Sequence, residues 1–263
     1  MTARVDSKWI TCPAPRPSAR LRLFCLPFAG GGASLYRTWG ASLPDFVEVR
    51  PVQLPGREER YREPAHTSAH ELSRAVAHEL VTCLDRPYAL FGHSMGALIA
   101  YEVAQALRAA GAEAPRALLL SAYPAPHDAS RRTPIHDLPD DEFIRELGRL
   151  QGTPQAVLAH AELMSFMLPV LRADFRVCDT YQWSAPPPLE CPVHTFGGAQ
   201  DTEVAPEALD AWQLHTTAAF SRTMLPGTHF YVQTHRDQAL AAFGRCLSAL
   251  QPDSSAPIIG TRA

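Results

Sequence analysis

Short apolar runs alternate with segments of helical periodicity along most of this 263-residue chain. Six runs are typical of strands, several of them apolar throughout, as in parallel strands covered on both faces: residues 22–28, 46–54, 88–92, 117–123, 192–198 and 222–225. Helical patterns lie between or after them, chiefly at 69–84, 95–110 and 234–250. The alternation predicts an α/β fold: a doubly wound, mostly parallel central sheet with helices on both faces.

One segment interrupts the alternation. Between Pro124 and Pro188 no strand pattern occurs, and two apolar stripes at helical spacing appear instead, within 143–150 and 163–171. We therefore expect a single domain over residues 1–263 with a helical insertion at about 130–185. The insertion is either a lid over a site or extra core packing. The end of the chain, 251–263, is predicted to be disordered.

Charge and composition exclude several classes of partner. The net charge is −3 and no basic block occurs, so nothing favours binding to nucleic acid or to an anionic membrane. No run of 18 uncharged apolar residues occurs, and no apolar segment follows the basic residues near the N-terminus. The six cysteines are widely spaced without a C-x-x-C pair, which is typical of reduced, buried thiols. We expect a cytoplasmic, monomeric protein.

The sequence Gly92-His93-Ser94-Met95-Gly96 lies between a predicted strand and a predicted helix. This G-x-S-x-G pattern in that context is typical of a nucleophile elbow, a strained turn that exposes the serine hydroxyl above a helix N-terminus. Ser94 is therefore the predicted nucleophile.

A serine nucleophile needs a base, and the base needs an acid that orients it. In a fold with this elbow the chain order is Ser, then Asp or Glu, then His, on loops after late strands. Asp201 follows the run at 192–198, and His229 follows the run at 222–225. Two other acids stay open: Asp128, beyond the strand that follows the elbow, and Glu203, close to Asp201.

Three consecutive glycines follow the first strand, in "LPFAGGGAS". Neither a P-loop nor a dinucleotide fingerprint fits them, because no Gly-Lys-Ser/Thr and no G-x-G-x-x-G occurs. Bare backbone at this place suits an oxyanion hole, in which the N–H of Phe28 joins the N–H of Met95. Ser34, just after the glycines, is a predicted N-cap for a short helix to about Leu43. No metal-binding pattern emerges.

With these residues in place, the sequence resembles the stand-alone type II thioesterases of polyketide and non-ribosomal peptide synthesis, members of the α/β-hydrolase fold. The likeness spans residues 21–250 and rests on five stretches: "LFCLPFAGGGAS", "VQLPGREER", "FGHSMGALIAYEVA", "GGAQD" and "GTHFYV". It implies hydrolysis of acyl groups, often aberrant ones, from the phosphopantetheine arm of carrier proteins. It also implies Ser94, Asp201 and His229 as the triad, a helical lid, transient carrier-protein partners and no cofactor of the enzyme's own.

Arg57 and Arg60, in the "QLPGREER" loop, are candidates to meet the phosphate of the arm or an acidic carrier protein. A structural or solvated role for both arginines is the alternative. For the whole chain, two other functions remain open: a small-molecule carboxylesterase, and a non-catalytic receptor, against which the complete Ser-Asp-His set argues.

Overall fold

The computed structural model describes residues 7–128, 133–150, 152 and 155–250. Six strands form one sheet in the order β2-β1-β3-β4-β5-β6, and every neighbouring pair is parallel. The strands are β1 (Leu21–Leu26), β2 (Val47–Pro51), β3 (Tyr88–His93), β4 (Leu118–Ser121), β5 (Val193–Gly198) and β6 (Phe220–Leu225). The predicted mostly parallel sheet is confirmed, with strand ends within a few residues of those expected.

Helices cover both faces of the sheet. The α-helices are α1 (Ala69–Val81), α2 (Met95–Ala109), α3 (Asp140–Leu150), α4 (Gln155–Leu158), α5 (Ala161–Asp179), α6 (Pro206–Asp210), α7 (Tyr231–Thr234) and α8 (Arg236–Ala249). In β3, Leu90 packs with α1 and α2, whereas Ala89 and Phe91 pack with α8 on the opposite face. Because neighbouring strand residues point to opposite faces, the continuous apolar run supplies both cores.

Local capping agrees with the sequence at one helix and differs at another place. Ser68 is the N-cap of the helix expected at 69–84, and its hydroxyl accepts a hydrogen bond from Glu71 N–H at 3.4 Å. After the glycines there are two 3₁₀ turns, Ala33–Tyr36 and Trp39–Ser42, instead of one helix capped by Ser34. The Ser34 hydroxyl is bound to the Glu58 carboxylate, which removes it from a capping role.

Helices α3, α4 and α5 form the insertion between β4 and β5, where the sequence predicts no strand. They share a small apolar cluster that includes Phe143, Leu147, Met164 and Leu171. The apolar stripe of α5 is only partly covered, since Phe166 is 66% exposed. Residues 129–132, at the predicted start of the insertion, and the predicted disordered segment 251–263 lie outside the described residues.

Within the part of the chain that the structure describes, every helix is too short or too polar to cross a lipid bilayer.

Candidate active site

Ser94 stands between the end of β3 and the start of α2, in a backbone conformation that L-residues rarely adopt. Its φ is 54° and its ψ is −123°, and its N–H donates to Ser121 O at 2.8 Å. A non-glycine residue held at such angles is strained by about 1–3 kcal/mol, and strain of this kind clusters at active sites. The predicted elbow is therefore present in its geometry.

The elbow lies against the end of β1, where the glycine-rich segment begins. A Cβ added to Gly96 would meet Leu26 O at 2.2 Å and Pro27 O at 2.8 Å, so only glycine lets α2 approach this closely. The contact brings the N-terminus of α2 next to the backbone that leads into Phe28.

Asp201 and His229 lie on two loops that are bonded to each other. Asp201 follows β5 and His229 follows β6, as predicted. Gln200 N–H, on the loop of Asp201, donates to Gly227 O, on the loop of His229, at 3.0 Å. His229 Nε2 is 3.1 Å from Ser94 Oγ, and His229 Nδ1 is 2.9 Å from Asp201 Oδ2. The three predicted residues thus form one continuous hydrogen-bonded set.

The carboxylate of Asp201 is itself held in place. Its side chain has 0% of its surface exposed, and Oδ1 accepts from the N–H of Glu203 at 2.8 Å and of Val204 at 3.3 Å. Oδ2 is then left to face His229. A carboxylate so fixed orients the imidazole and selects the tautomer that carries the proton on Nδ1.

The two rival acids have other neighbours. Asp128 Oδ2 lies 3.6 Å from His127 Nε2, beyond the end of β4. The carboxylate of Glu203 binds Arg149 of α3, with Oε1 2.6 Å from Nη1. The geometry therefore favours Asp201 as the partner of His229.

His93, the residue before Ser94, is buried under the site and was not singled out from the sequence. Its Nδ1 is 2.8 Å from Ser121 Oγ, which in turn is 2.5 Å from the Tyr231 hydroxyl. Burial, and to a smaller extent the nearby His229, hold the pKa of His93 well below its usual value. A neutral His93 adds no positive charge beside His229. The sequence signal that could have pointed to His93 is its position next to Ser94 in the G-x-S-x-G motif.

Phe28 and Met95 line the same cavity as Ser94 and His229. Among the described residues, neither backbone N–H donates to a protein acceptor in the turns and loops around the elbow. Two N–H groups beside a nucleophile are the donors that an oxyanion needs. The structure brings both predicted oxyanion residues to the site.

The cavity over Ser94 is roofed by the insertion. Leu147 of α3 and Leu171 and Phe175 of α5 line this cavity together with Ser94 and His229. The space inside amounts to only about 50 Å³. Pockets for small molecules usually measure about 300–1,000 Å³, so this conformation leaves room for no more than a short acyl group beside Ser94.

Arg57 and Arg60 are not where a docking role requires them, and this prediction is corrected. Both are buried, with 6% and 7% of their surface exposed. Arg57 forms a two-point ion pair with Asp174 of α5, at 2.6 and 2.8 Å. Arg60 binds Gln53 O at 2.8 Å and Glu63 at 2.6 Å. Guanidinium groups committed to internal partners are not available to a carrier protein or a phosphate.

Comparison with known proteins agrees with this geometry. A family profile described as the thioesterase domain matches residues 21–247. The gramicidin S biosynthesis protein GrsT of Aneurinibacillus migulanus is 43% identical over 226 residues, which are 86% of this chain and 88% of that protein.

Two solved structures are similar over nearly the whole chain. RedJ, a thioesterase of the prodiginine biosynthetic pathway in Streptomyces coelicolor, is 44% identical with a TM-score of 0.82, over 88% of this chain and 87% of that one. BorB, a type II thioesterase from the borrelidin biosynthetic cluster, is 37% identical with a TM-score of 0.84, over 93% and 98%. The resemblance read from the sequence is confirmed: the chain belongs to the thioesterase family.

Proposed function

We propose that this protein hydrolyses acyl groups from the phosphopantetheine arm of carrier proteins in polyketide or non-ribosomal peptide synthesis. The observation that carries the proposal is the hydrogen-bonded set from Ser94 Oγ through His229 to Asp201. The relatives named above, a gramicidin S biosynthesis protein and thioesterases of prodiginine and borrelidin biosynthesis, support this substrate class. Aberrant acyl groups that block a carrier protein are the substrates we propose.

The first half of the reaction transfers the acyl group to Ser94. Ser94 Oγ attacks the thioester carbonyl while its proton moves to His229 Nε2. Asp201 stabilises the imidazolium that forms. When the tetrahedral intermediate collapses, the carbon–sulfur bond breaks and His229 gives the proton to the departing thiol of the arm. An acyl-Ser94 ester remains.

The second half releases the acid with water. A water molecule attacks the Ser94 ester, His229 takes its proton, and the carbon–oxygen bond to Ser94 breaks with return of that proton to Oγ. In both halves negative charge grows on the carbonyl oxygen. We assign its stabilisation to the backbone N–H groups of Phe28 and Met95, and the proposed reaction needs no cofactor of the enzyme's own.

The helical insertion acts as a lid in this proposal. The space over Ser94 is about 50 Å³, and its roof consists mostly of apolar side chains from α3 and α5, with Asp179 of α5 also in the lining. A long acyl chain can reach Ser94 only after these helices move. The exposed Phe166 and the partly covered stripe of α5 agree with a helix that is held less firmly than the sheet.

We expect backbone amide hydrogen exchange to be faster in α3 and α5 than in β3 and β4. Openings of a lid expose its own amides, whereas strands buried on both faces exchange only on deeper unfolding. An alkyl fluorophosphonate, from which Ser94 Oγ displaces fluoride, should slow exchange in the insertion, because its chain packs against the apolar side chains of the lid helices. Exchange across α5 that is as slow as in β3 already in the absence of the inhibitor would contradict a lid.

The substrate class is tested by pairing an acyl thioester with its oxygen ester. A thiol with a pKa of about 8.5 leaves more readily than an alcohol, but an esterase with the same triad would also profit from that difference. We therefore expect the thioester of an acylated carrier protein to be hydrolysed with a kcat/KM well above that of a small thioester with the same acyl group. A matched oxygen ester turned over as well as acyl carrier protein would favour the carboxylesterase instead.

We further propose that the chain works as a monomer and meets its carrier protein only briefly. A long-lived complex would block the carrier from the synthase. Sedimentation of the Ser94→Ala variant mixed with acyl carrier protein checks both points, since it should give no lasting complex and no dimer. A cytoplasmic location is part of the same proposal, supported by six cysteines that form no disulfide.

A further inference from the structure

The backbone that carries the Phe28 N–H is a tight turn. Gly31 N–H donates to Phe28 O at 2.9 Å, and Gly30 at the third position has a φ of 78°. A glycine with positive φ at this position is the mark of a type II turn. The direction of the Phe28 N–H depends on how this turn is held, because the turn begins at Phe28 itself.

A carboxylate from the insertion binds a backbone N–H of this turn. Gly30 N–H donates to Asp174 Oδ2 at 2.7 Å, across 144 residues of sequence. Asp174 lies in α5 and is only 1% exposed. A carboxylate so deeply buried is tolerated only with charged and hydrogen-bonding partners, so this contact belongs to a larger arrangement.

Arg57 completes the arrangement from the other side. Its Nη1 and Nη2 lie 2.6 and 2.8 Å from the two oxygens of Asp174, and Nη1 also donates to Gly31 O at 3.2 Å. The turn is thus bound at two consecutive residues, at the N–H of Gly30 by the carboxylate and at the C=O of Gly31 by the guanidinium. A bidentate pair of this kind fixes direction as well as distance.

We propose that Asp174 is a positioning residue that, together with Arg57, sets the turn carrying the Phe28 N–H only while α5 is seated. The inference rests on the proposed function, since it assigns that N–H to the oxyanion. When α5 lifts to admit substrate, the Gly30 N–H loses its acceptor and Arg57 loses its counter-charge. The oxyanion hole is therefore complete only while the Asp174 segment of α5 is bound to the turn, and a thioester is activated only after this segment has returned to it.

Asp174→Asn tests the coupling while keeping the shape of the side chain. Asn lacks the charge, and its NH₂ group faces the donors of Arg57. We expect kcat for a small acyl thioester to fall roughly 10- to 100-fold, less than the 10²–10³-fold lost when an oxyanion donor is deleted outright. KM should change less than twofold, because the oxyanion exists only in the transition state.

A transition-state mimic gives a readout that does not depend on turnover. In an alkyl trifluoromethyl ketone, Ser94 Oγ adds to the carbonyl carbon, its proton passes to His229, and the ketone oxygen becomes an anion in the oxyanion hole. Its affinity for Asp174→Asn should fall by the same factor as kcat. A thioether with a methylene in place of the carbonyl should bind wild type and variant equally.

Glu48→Gln is the matched control for simple loss of a buried ion pair. Glu48, on β2, is 3% exposed, accepts from Arg16 N–H at 2.9 Å, and pairs with Arg22 and Arg50 at 3.3 and 2.8 Å. It contacts nothing at the site. We expect a lower Tm with unchanged kcat and unchanged inhibitor affinity for this variant.

Arg57→Lys is a second variant, used if Asp174→Asn does not fold. Lysine keeps the charge but cannot bond both oxygens and Gly31 O, so kcat and ketone affinity should fall together again. The proposal is overturned if the variant that folds keeps both values within twofold of wild type, or loses no more than Glu48→Gln. Wild-type protein that hydrolyses no acyl thioester would refute the proposed function instead, and the ketone would still test the coupling.

Discussion

Replacement of Ser94 by Ala is expected to lower kcat for acyl carrier protein by roughly 10⁴- to 10⁶-fold, the range that loss of a triad serine produces in other serine hydrolases. Without Oγ no acyl-enzyme forms, and His229 has no proton to accept from the nucleophile position. The oxyanion donors are main-chain groups, so a weak background reaction with water remains. Single-turnover release of a radiolabelled acyl group from the carrier protein measures rate losses of this size.

Ser73→Ala is the matched control for that variant. Ser73 lies in α1, is 1% exposed, and its hydroxyl has no hydrogen-bond partner among the described residues. It should retain wild-type kcat, and both variants should give the circular dichroism spectrum of the parent. A folded Ser94→Ala protein with turnover near that of wild type would rule out Ser94 as the nucleophile.

Replacement of Asp201 by Asn should reduce kcat by about 10⁴-fold, the loss found when the acid of a serine triad is made neutral. The amide NH₂ would face His229 Nδ1, which lies 2.9 Å from Oδ2 in the wild type. Nδ1 would then have to accept a hydrogen bond, and the proton would move to Nε2. With its proton on Nε2, His229 cannot take one from Ser94.

Glu203→Gln and Asp128→Asn serve as controls, because both carboxylates were open as alternatives for the acid. Glu203→Gln should weaken the ion pair with Arg149, and Asp128→Asn the contact with His127, and kcat should stay within a few-fold of wild type in both. A loss of several orders of magnitude in Asp128→Asn, with Asp201→Asn active, would move the acid to the loop after β4.

The sequence was sufficient for those parts of the site that depend on neighbours along the chain. Ser94 could be predicted because the elbow needs only a strand, small residues and a helix, all within 88–110. Asp201 and His229 could be predicted because parallel strands present their carboxyl ends at one edge of the sheet, where the loops after β5 and β6 meet. The glycines after Phe28 were interpreted as part of an oxyanion hole because no phosphate motif fitted them, and that interpretation stays a prediction.

Two of the predictions that failed, those for Arg57 and Ser34, depend on partners elsewhere in the chain, whereas Arg60 binds Gln53 and Glu63, which are near it in sequence. From the sequence, Arg57 and Arg60 look like unpaired charges in a loop at the edge of the sheet that carries the active site. The partner of Arg57, however, is Asp174, 117 residues distant, and the apolar stripes of the insertion predict its helices but not which residues they contact. Ser34 fails as a cap for the same reason, because Glu58 takes its hydroxyl. The outward direction of Phe166 could not be read either, since an apolar stripe does not say how much of it is covered.

The backbone at Ser94 makes stability and activity compete for one position. A φ of 54° suits glycine, which would relieve about 1–3 kcal/mol of strain, whereas the reaction needs the hydroxyl. Directed evolution of this enzyme for heat resistance alone would therefore reward the loss of its nucleophile. A laboratory that seeks a hardier variant has to screen for turnover in the same round, or hold codon 94 fixed.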